Sequence, residues 1–319
     1  MFALVIAFLS DLLIGDPAYA WHPVRLMGKA IDGGESFFRR TFWPERVAGA
    51  VLALMLPFLV FLFVWLLLFW AARMNPWLAW GIDLFGIYSA ISIQDLRKEA
   101  LLVHGDLRKN DKEKAQKDLA RIVGRDTPAL SDKEIVRACV ETVAESTVDG
   151  VIAPLFYAAL AGAPLALAYK AVNTLDSMIG HLDERYRDFG FVAARQDELW
   201  NWIPARLSLG LISLAAFFLK ARPGQAIKTG WRDGMNVSHG NSAIPEAAFA
   251  GALGLRLGGE SAYRGLRREK PFLGVAQKDF ERDDIVQAVK LMLAASWISL
   301  IGSLFLKEVV TFAKVSFKL

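Results

Sequence analysis

Residues 47–72 form an uninterrupted apolar run, longer than the roughly 20 residues a helix needs to cross a bilayer. Trp65, Trp70 and Trp77 lie at or near its far end, where an indole ring favours the membrane interface. The turn Arg73-Met74-Asn75-Pro76 follows, and a second apolar run over 77–93 returns, so the pattern predicts a helical hairpin. Upstream, the apolar residues 1–9 predict a helix that ends near Gly15. Downstream, 94–150 is polar, and Ser131-Asp132-Lys133-Glu134 within it has the capping-box form of a helix start. Residues 151–169 are apolar but broken at Pro154 and at Gly162-Ala163-Pro164; further apolar segments cover 203–219 and 286–306, with a marginal one at 243–259.

Charge orients these elements. Arg25, Lys29, Arg39, Arg40 and Arg46 precede the hairpin, and Arg97, Lys98, Arg108, Lys109, Lys112, Lys114, Lys117, Arg121 and Arg125 follow it. The positive-inside bias puts both flanks in the cytoplasm and only the turn near Pro76 on the other side. A single crossing by 151–169 would then separate two polar segments, 134–150 and 170–202, that both carry candidate chemistry. A segment broken by Gly and Pro can instead dip in and return when its backbone is buried in protein, and the re-entrant reading is favoured. The expected fold is all-α: one polytopic helical membrane domain over 1–319, with a polar cytoplasmic helical insertion at about 94–150.

Composition agrees with that picture. Hydrophobic residues make up 54% of the chain and mean hydropathy is +0.32, while charged residues still reach 22%, so buried spans alternate with aqueous segments. The net charge of +4 invites a nucleic-acid partner. The basic residues are spread over several loops and mixed with acids, so no nucleic acid is expected. Cys139 is the only cysteine, which excludes an internal disulfide and offers no metal pattern. Ala18-Tyr19-Ala20 superficially matches a leader cleavage site. No positive charge precedes the apolar run, however, and Asp11 and Asp16 follow it, so a retained helix is expected.

Four polar clusters carry candidate chemistry. His22-Pro23-Val24-Arg25 lies just past the first helix; it fits either an anion-binding loop or an interfacial turn with a snorkelling Arg25. Glu141, Glu145 and Asp149 recur every four residues along one helix side, as a solvated face or as ligands for Mg²⁺ shared with phosphate oxygens. Lys170, Asn173, Asp176, Ser177 and Gly180 share another helical face in apolar surroundings, and ionisable groups so placed are usually functional. The charged run from His181 through Glu184, Arg185, Arg187 and Asp188 follows, as a salt-bridged loop or a source of Arg donors to phosphate. Last, 236–246 contains Ser238, His239, Asn241, Ser242 and Glu246. It reads equally as a helix N-terminus open to an anion or as N-capping by Asn241 or Ser242. Neither a Walker-type phosphate loop nor a dinucleotide-binding glycine pattern nor a His-Glu-x-x-His zinc motif occurs.

Several longer motifs resemble the CbiB/CobD family, the adenosylcobinamide-phosphate synthases of cobalamin biosynthesis. They are Gly15-Asp16-Pro17 with His22 to Gly28, Val123-Gly124-Arg125-Asp126-Thr127, Glu141 to Gly150, Ala171 to Met178, Glu184 to Gly190, Pro245 to Ala248, Gly251 to Gly254 and Leu257-Gly258-Gly259. The resemblance covers nearly the whole chain in one order. Two positions depart from the family pattern: Ser146 stands where Asn is frequent, and Val237-Ser238-His239-Gly240 replaces a Pro-rich approach.

The resemblance implies an ATP- and Mg²⁺-dependent amide ligase of the inner membrane, joining adenosylcobyric acid to aminopropanol phosphate or a related amino alcohol. A carboxylate is a poor electrophile, so ATP would first convert it to an acyl phosphate, a step that needs metal and cations around developing charge. On that reading Glu141, Glu145, Asp149 and Asp176 hold Mg²⁺. Arg25, Lys170, Arg185 and Arg187, with Asn173, Ser177, Asn241 and Ser242, bind phosphate or cofactor. His22, Asp176 and His181 are catalytic, with His22 or His181 taking the amine proton. The active site is expected on the cytoplasmic side. Expected partners are the corrinoid and amino-alcohol phosphate substrates, the lipid bilayer, and other late cobalamin-pathway enzymes at the membrane. A transporter of a polar anion or corrinoid is the competing class, and a non-catalytic scaffold a third.

Overall fold

A computed structural model describes residues 1–316 apart from Ala18, Ala20, Leu182, 236–239 and Arg264. It resolves into two compact units. The first comprises residues 1–92, 153–202 and 300–319, and the second 93–152 and 203–299.

In the first unit, α1 (Phe2–Ile14) ends at Gly15, as its apolar run predicts. Proline at the first helical position opens α2 (Pro23–Phe38) and α4 (Pro76–Tyr88), where its missing N–H costs nothing. The long apolar run is α3 (Glu45–Met74), and α4 packs back on it. The return helix is shorter than the pattern suggested, because the apolar run to Ile93 is broken by a turn after Ser89. At 13 residues it rises about 20 Å, short of a ~30 Å hydrocarbon layer. The break at Gly162 separates α8 (Ala153–Ala161) from α9 (Ala163–Ile179), which fold against each other. Gly162 has φ +71°, and the first N–H of α9 donates to Asp83 Oδ1 of α4 at 2.8 Å. A core of Ile31, Phe38, Leu52, Leu175, Ile179 and Phe189 joins α2, α3 and α9.

The second unit contains α5 (Ile93–Arg108), α6 (Lys112–Leu119) and α7 (Asp132–Thr147). Ser131 and Glu134 form the predicted capping box at the start of α7. The helix continues through a π-helical turn (Val148–Ile152), a widening that recurs at functional sites. Also here are α11 (Pro223–Thr229) and α12 (Ala243–Leu253). An antiparallel hairpin of β1 (Leu257–Tyr263) and β2 (Leu266–Leu273) follows, bulged between Leu257 and Gly259. The marginal apolar segment at 243–259 is therefore a helix of 11 residues that runs into a strand, too short to cross. Two long helices, α10 (Phe191–Phe218) and α13 (Asp284–Ser316), contribute residues to both units.

Among the described residues, four helical stretches are long and apolar enough to cross a membrane: Glu45–Met74, Asp132–Ala161, Phe191–Phe218 and Asp284–Ala313. With the helical content, they establish a polytopic helical membrane fold.

Candidate functional site

In the first unit, His22 precedes α2 with its ring buried, and its Nε2 lies 2.9 Å from Asp16 Oδ1. Arg25, one turn on, is exposed. The predicted polar face of α9 is present: Lys170, Asn173 and Asp176 are half-buried and Ser177 is exposed. Gly180 closes that face, because a Cβ there would come 2.0 Å from Asp176 Oδ1. α2 packs on α9 with Gly28 against Met178, so the His22 segment and the α9 cluster belong to one helix pair.

The charged run after His181 divides. Arg187 is exposed, and the exposed His181 sets its ring edge to Tyr186 at 6.0 Å. Arg185 instead donates to Glu35 Oε1 at 2.9 Å, where Arg39 Nε also donates at 2.9 Å; Tyr186 donates to Oε2 at 3.3 Å. Burial pushes the Glu35 carboxyl up, but the hydrogen bonds from Arg185 and Arg39 outweigh it and hold the group below the usual carboxylate range. Glu35 was not singled out from sequence. Its partner Arg185 lies 150 residues away, beyond the reach of any periodicity.

The second unit centres on the acidic side of α7. Arg125 donates to Glu141 Oε2 at 2.5 Å, and the Gly258 N–H donates to Oε1 at 2.8 Å. Arg137 donates to the Gly258 and Glu260 carbonyls, both at 2.7 Å, and Arg125 reaches Ser261 Oγ at 3.2 Å. Glu141 thus fastens the hairpin to α7. Glu145 is exposed and Asp149 half-buried, and Asp149 sits in the π-helical turn, where the four-residue spacing opens out. Among the described residues, no three His, Cys, Asp or Glu side chains converge as a metal site.

Ser242 stands at the N-cap position of α12 but makes no capping bond, and Asn241 Oδ1 accepts from Arg206 at 3.3 Å. Ser238 and His239 lie outside the described residues. One turn beyond Ser242, Glu246 is 3% exposed. Burial, with Glu141 and Glu145 nearby, raises its carboxyl pKa to about 8, against the opposing pull of Lys270 and Arg125. A cavity of about 110 Å³ opens between α12 and the hairpin, lined by Ser242, Ala243, Glu246, Gly258, Lys270 and Leu273 among others. Sequence reasoning missed Lys270 and gave Glu246 no role. The signal available was the Gly258-Gly259 doublet, which marks close backbone approach in a strand. Gly258 has φ +85°, and a Cβ there would meet the Pro271 carbonyl oxygen at 2.0 Å.

The model of one protein family, described as CobD/Cbib protein, matches residues 4–292. The chain belongs to the CobD/CbiB family. Similar curated relatives include the cobalamin biosynthesis protein CobD of Klebsiella pneumoniae, 45% identical over 94% of this chain and 95% of its own. The cobalamin biosynthesis protein CbiB of Salmonella typhimurium is 44% identical over 92% and 93%. CobD of Photorhabdus laumondii is 44% identical over the same shares. No solved structure matches. The CobD/CbiB motifs quoted from sequence include Arg125, Glu141, Glu246 and Gly258, and the second unit gathers all four around the hairpin.

Proposed function

We propose that this CobD/CbiB protein is an ATP-dependent amide ligase joining adenosylcobyric acid to aminopropanol phosphate, or a related amino alcohol, to give adenosylcobinamide phosphate. The family match over residues 4–292 carries the reading, since its relatives are named for cobalamin biosynthesis. ATP activates the corrinoid carboxylate as an acyl phosphate; the amine nitrogen then forms the C–N bond as the C–O bond to phosphate breaks, and phosphate leaves with the electron pair. The amine proton passes to a base, with His22 and His181 as candidates.

The Mg²⁺ candidates are Glu145 and Asp149, with Glu141 bonded to Arg125 and Gly258 beside them, in the second unit, and separately Asp176 in the first. One or two carboxylates suit Mg²⁺, which keeps waters and takes its remaining oxygens from phosphate. When bound, the ion would neutralise charge on the transferring phosphoryl group. Arg25, Lys170 and Arg187 are the cationic candidates for phosphate; Arg185 is held by Glu35. We place the site on the cytoplasmic side of the inner membrane, from the loop charges.

Purified full-length protein in detergent, given ATP, Mg²⁺, adenosylcobyric acid and aminopropanol phosphate, is expected to release ADP and phosphate and form the amide. Membrane vesicles that accumulate corrinoid without any amide formation would favour the transporter class instead.

A further inference from the structure

We infer that the cavity between α12 and the β-hairpin seats the amine co-substrate, with Lys270 binding its phosphate and Glu246 hydrogen-bonded to its amine. The inference rests on the amide-ligase reading and adds to it the place and the recognising residues of one substrate.

Size comes first. About 110 Å³ holds on the order of ten water-sized groups, the scale of a small phosphorylated amino alcohol. Nucleotide and corrinoid pockets fall in or above the roughly 300–1,000 Å³ of ordinary ligand sites, so neither fits here. Lining chemistry narrows the choice further. The walls supply one acid, one cation and one hydroxyl, in Glu246, Lys270 and Ser242, beside the apolar surfaces of Ala243, Pro271 and Leu273. A ligand with an amine at one end, a phosphate at the other and a short hydrocarbon between meets each of them.

Placement supports the same occupant. Glu246 is 97% buried and lines the cavity, where its carboxyl can hydrogen-bond a polar group of a ligand. Ser242 leaves its hydroxyl uncommitted to capping α12. The hairpin wall is fixed rather than loose, because Gly258 is bonded through its N–H to Glu141 and through its carbonyl to Arg137. Glu246 faces Glu141 and Glu145 of α7, Arg125 before it and Lys270 of β2. Glu246 and the neighbouring carboxylates offer acceptors to an amine, while Lys270 offers the charge that phosphate requires.

Steady-state kinetics of the full-length protein test this. Lys270→Gln and Glu246→Gln should each raise KM for aminopropanol phosphate about tenfold or more, the scale of one charge-assisted bond, while KM for ATP stays within about twofold. The wild type should discriminate against aminopropanol lacking the phosphate, and Lys270→Gln should lose most of that discrimination. Unchanged amine KM in both variants, or an equal rise in ATP KM, overturns the inference. A second measurement does not depend on those variants folding or turning over. Ser242→Cys should be modified by a methanethiosulfonate reagent, the native Cys139 being buried. Aminopropanol phosphate should slow that reaction and ATP should not; no protection, or protection by ATP alone, overturns it. If the wild type makes no amide, the ligase reading fails, and protection still decides the cavity's ligand.

Discussion

Arg125 and Glu141 meet at 2.5 Å with their side chains 6% and 2% exposed, and the other Glu141 oxygen takes the Gly258 N–H. The pair joins α7 to a hairpin 117 residues further on. Removing one member leaves a buried charge without its partner, which costs about 3–5 kcal/mol, whereas replacing both with apolar groups is far milder. Glu141→Ala should therefore lower the melting temperature markedly and open 257–273 to proteolysis. The double variant Arg125→Met with Glu141→Leu should recover much of the stability, as thermal melts in detergent will show.

Glu246 makes stability depend on pH in the direction opposite to an ordinary paired carboxylate. Its folded pKa, about 8, lies above the unfolded value, so the native state holds the extra proton. The sign follows: this contribution is full below the unfolded pKa near 4.5 and is lost as pH rises through about 8. Glu141, Glu145, Arg125 and Lys270 share its surroundings and set the midpoint. Melting curves between pH ~6 and ~9 should show a fall that Glu246→Gln flattens.

Arg185 and Arg187 are neighbours with different expected roles. Both are exposed, but Arg185 is bonded to Glu35 and its guanidinium lies over the Tyr186 ring. Arg185→Gln should lower thermal stability with little effect on KM for ATP. Arg187→Gln should raise KM for ATP with little effect on the melt. The reverse pattern would move the phosphate contact to Arg185.

Orientation is open to a direct check. A reporter fused near Lys114 should read as cytoplasmic and one at Asn75 as outside, from the cations that flank the α3–α4 hairpin. The opposite result would place the acidic side of α7 away from cytoplasmic ATP.

Much of this architecture is legible in the chain. The run at 47–72 is apolar on all sides, Ser131 and Glu134 cap α7, and Gly162-Ala163-Pro164 reverses the helix, each through local chemistry. The hairpin at 257–273 was missed because Gly258, Gly259 and the charges from Arg267 to Lys270 give no alternating pattern. Of the site, the helical faces of α7 and α9 could be read from spacing. The Glu35–Arg185 and Glu141–Gly258 pairs could not, since they form only when distant segments pack.

The ligase reading is tested most directly by the fate of one oxygen atom. Adenosylcobyric acid labelled with oxygen-18 in its free carboxylate should be turned over with ATP, Mg²⁺ and aminopropanol phosphate by the purified protein. Activation as an acyl phosphate predicts that each amide formed sends one labelled oxygen into inorganic phosphate, with ADP as the nucleotide product. Amide formation with unlabelled phosphate, label recovered in AMP, or no ATP-dependent amide at all would contradict it.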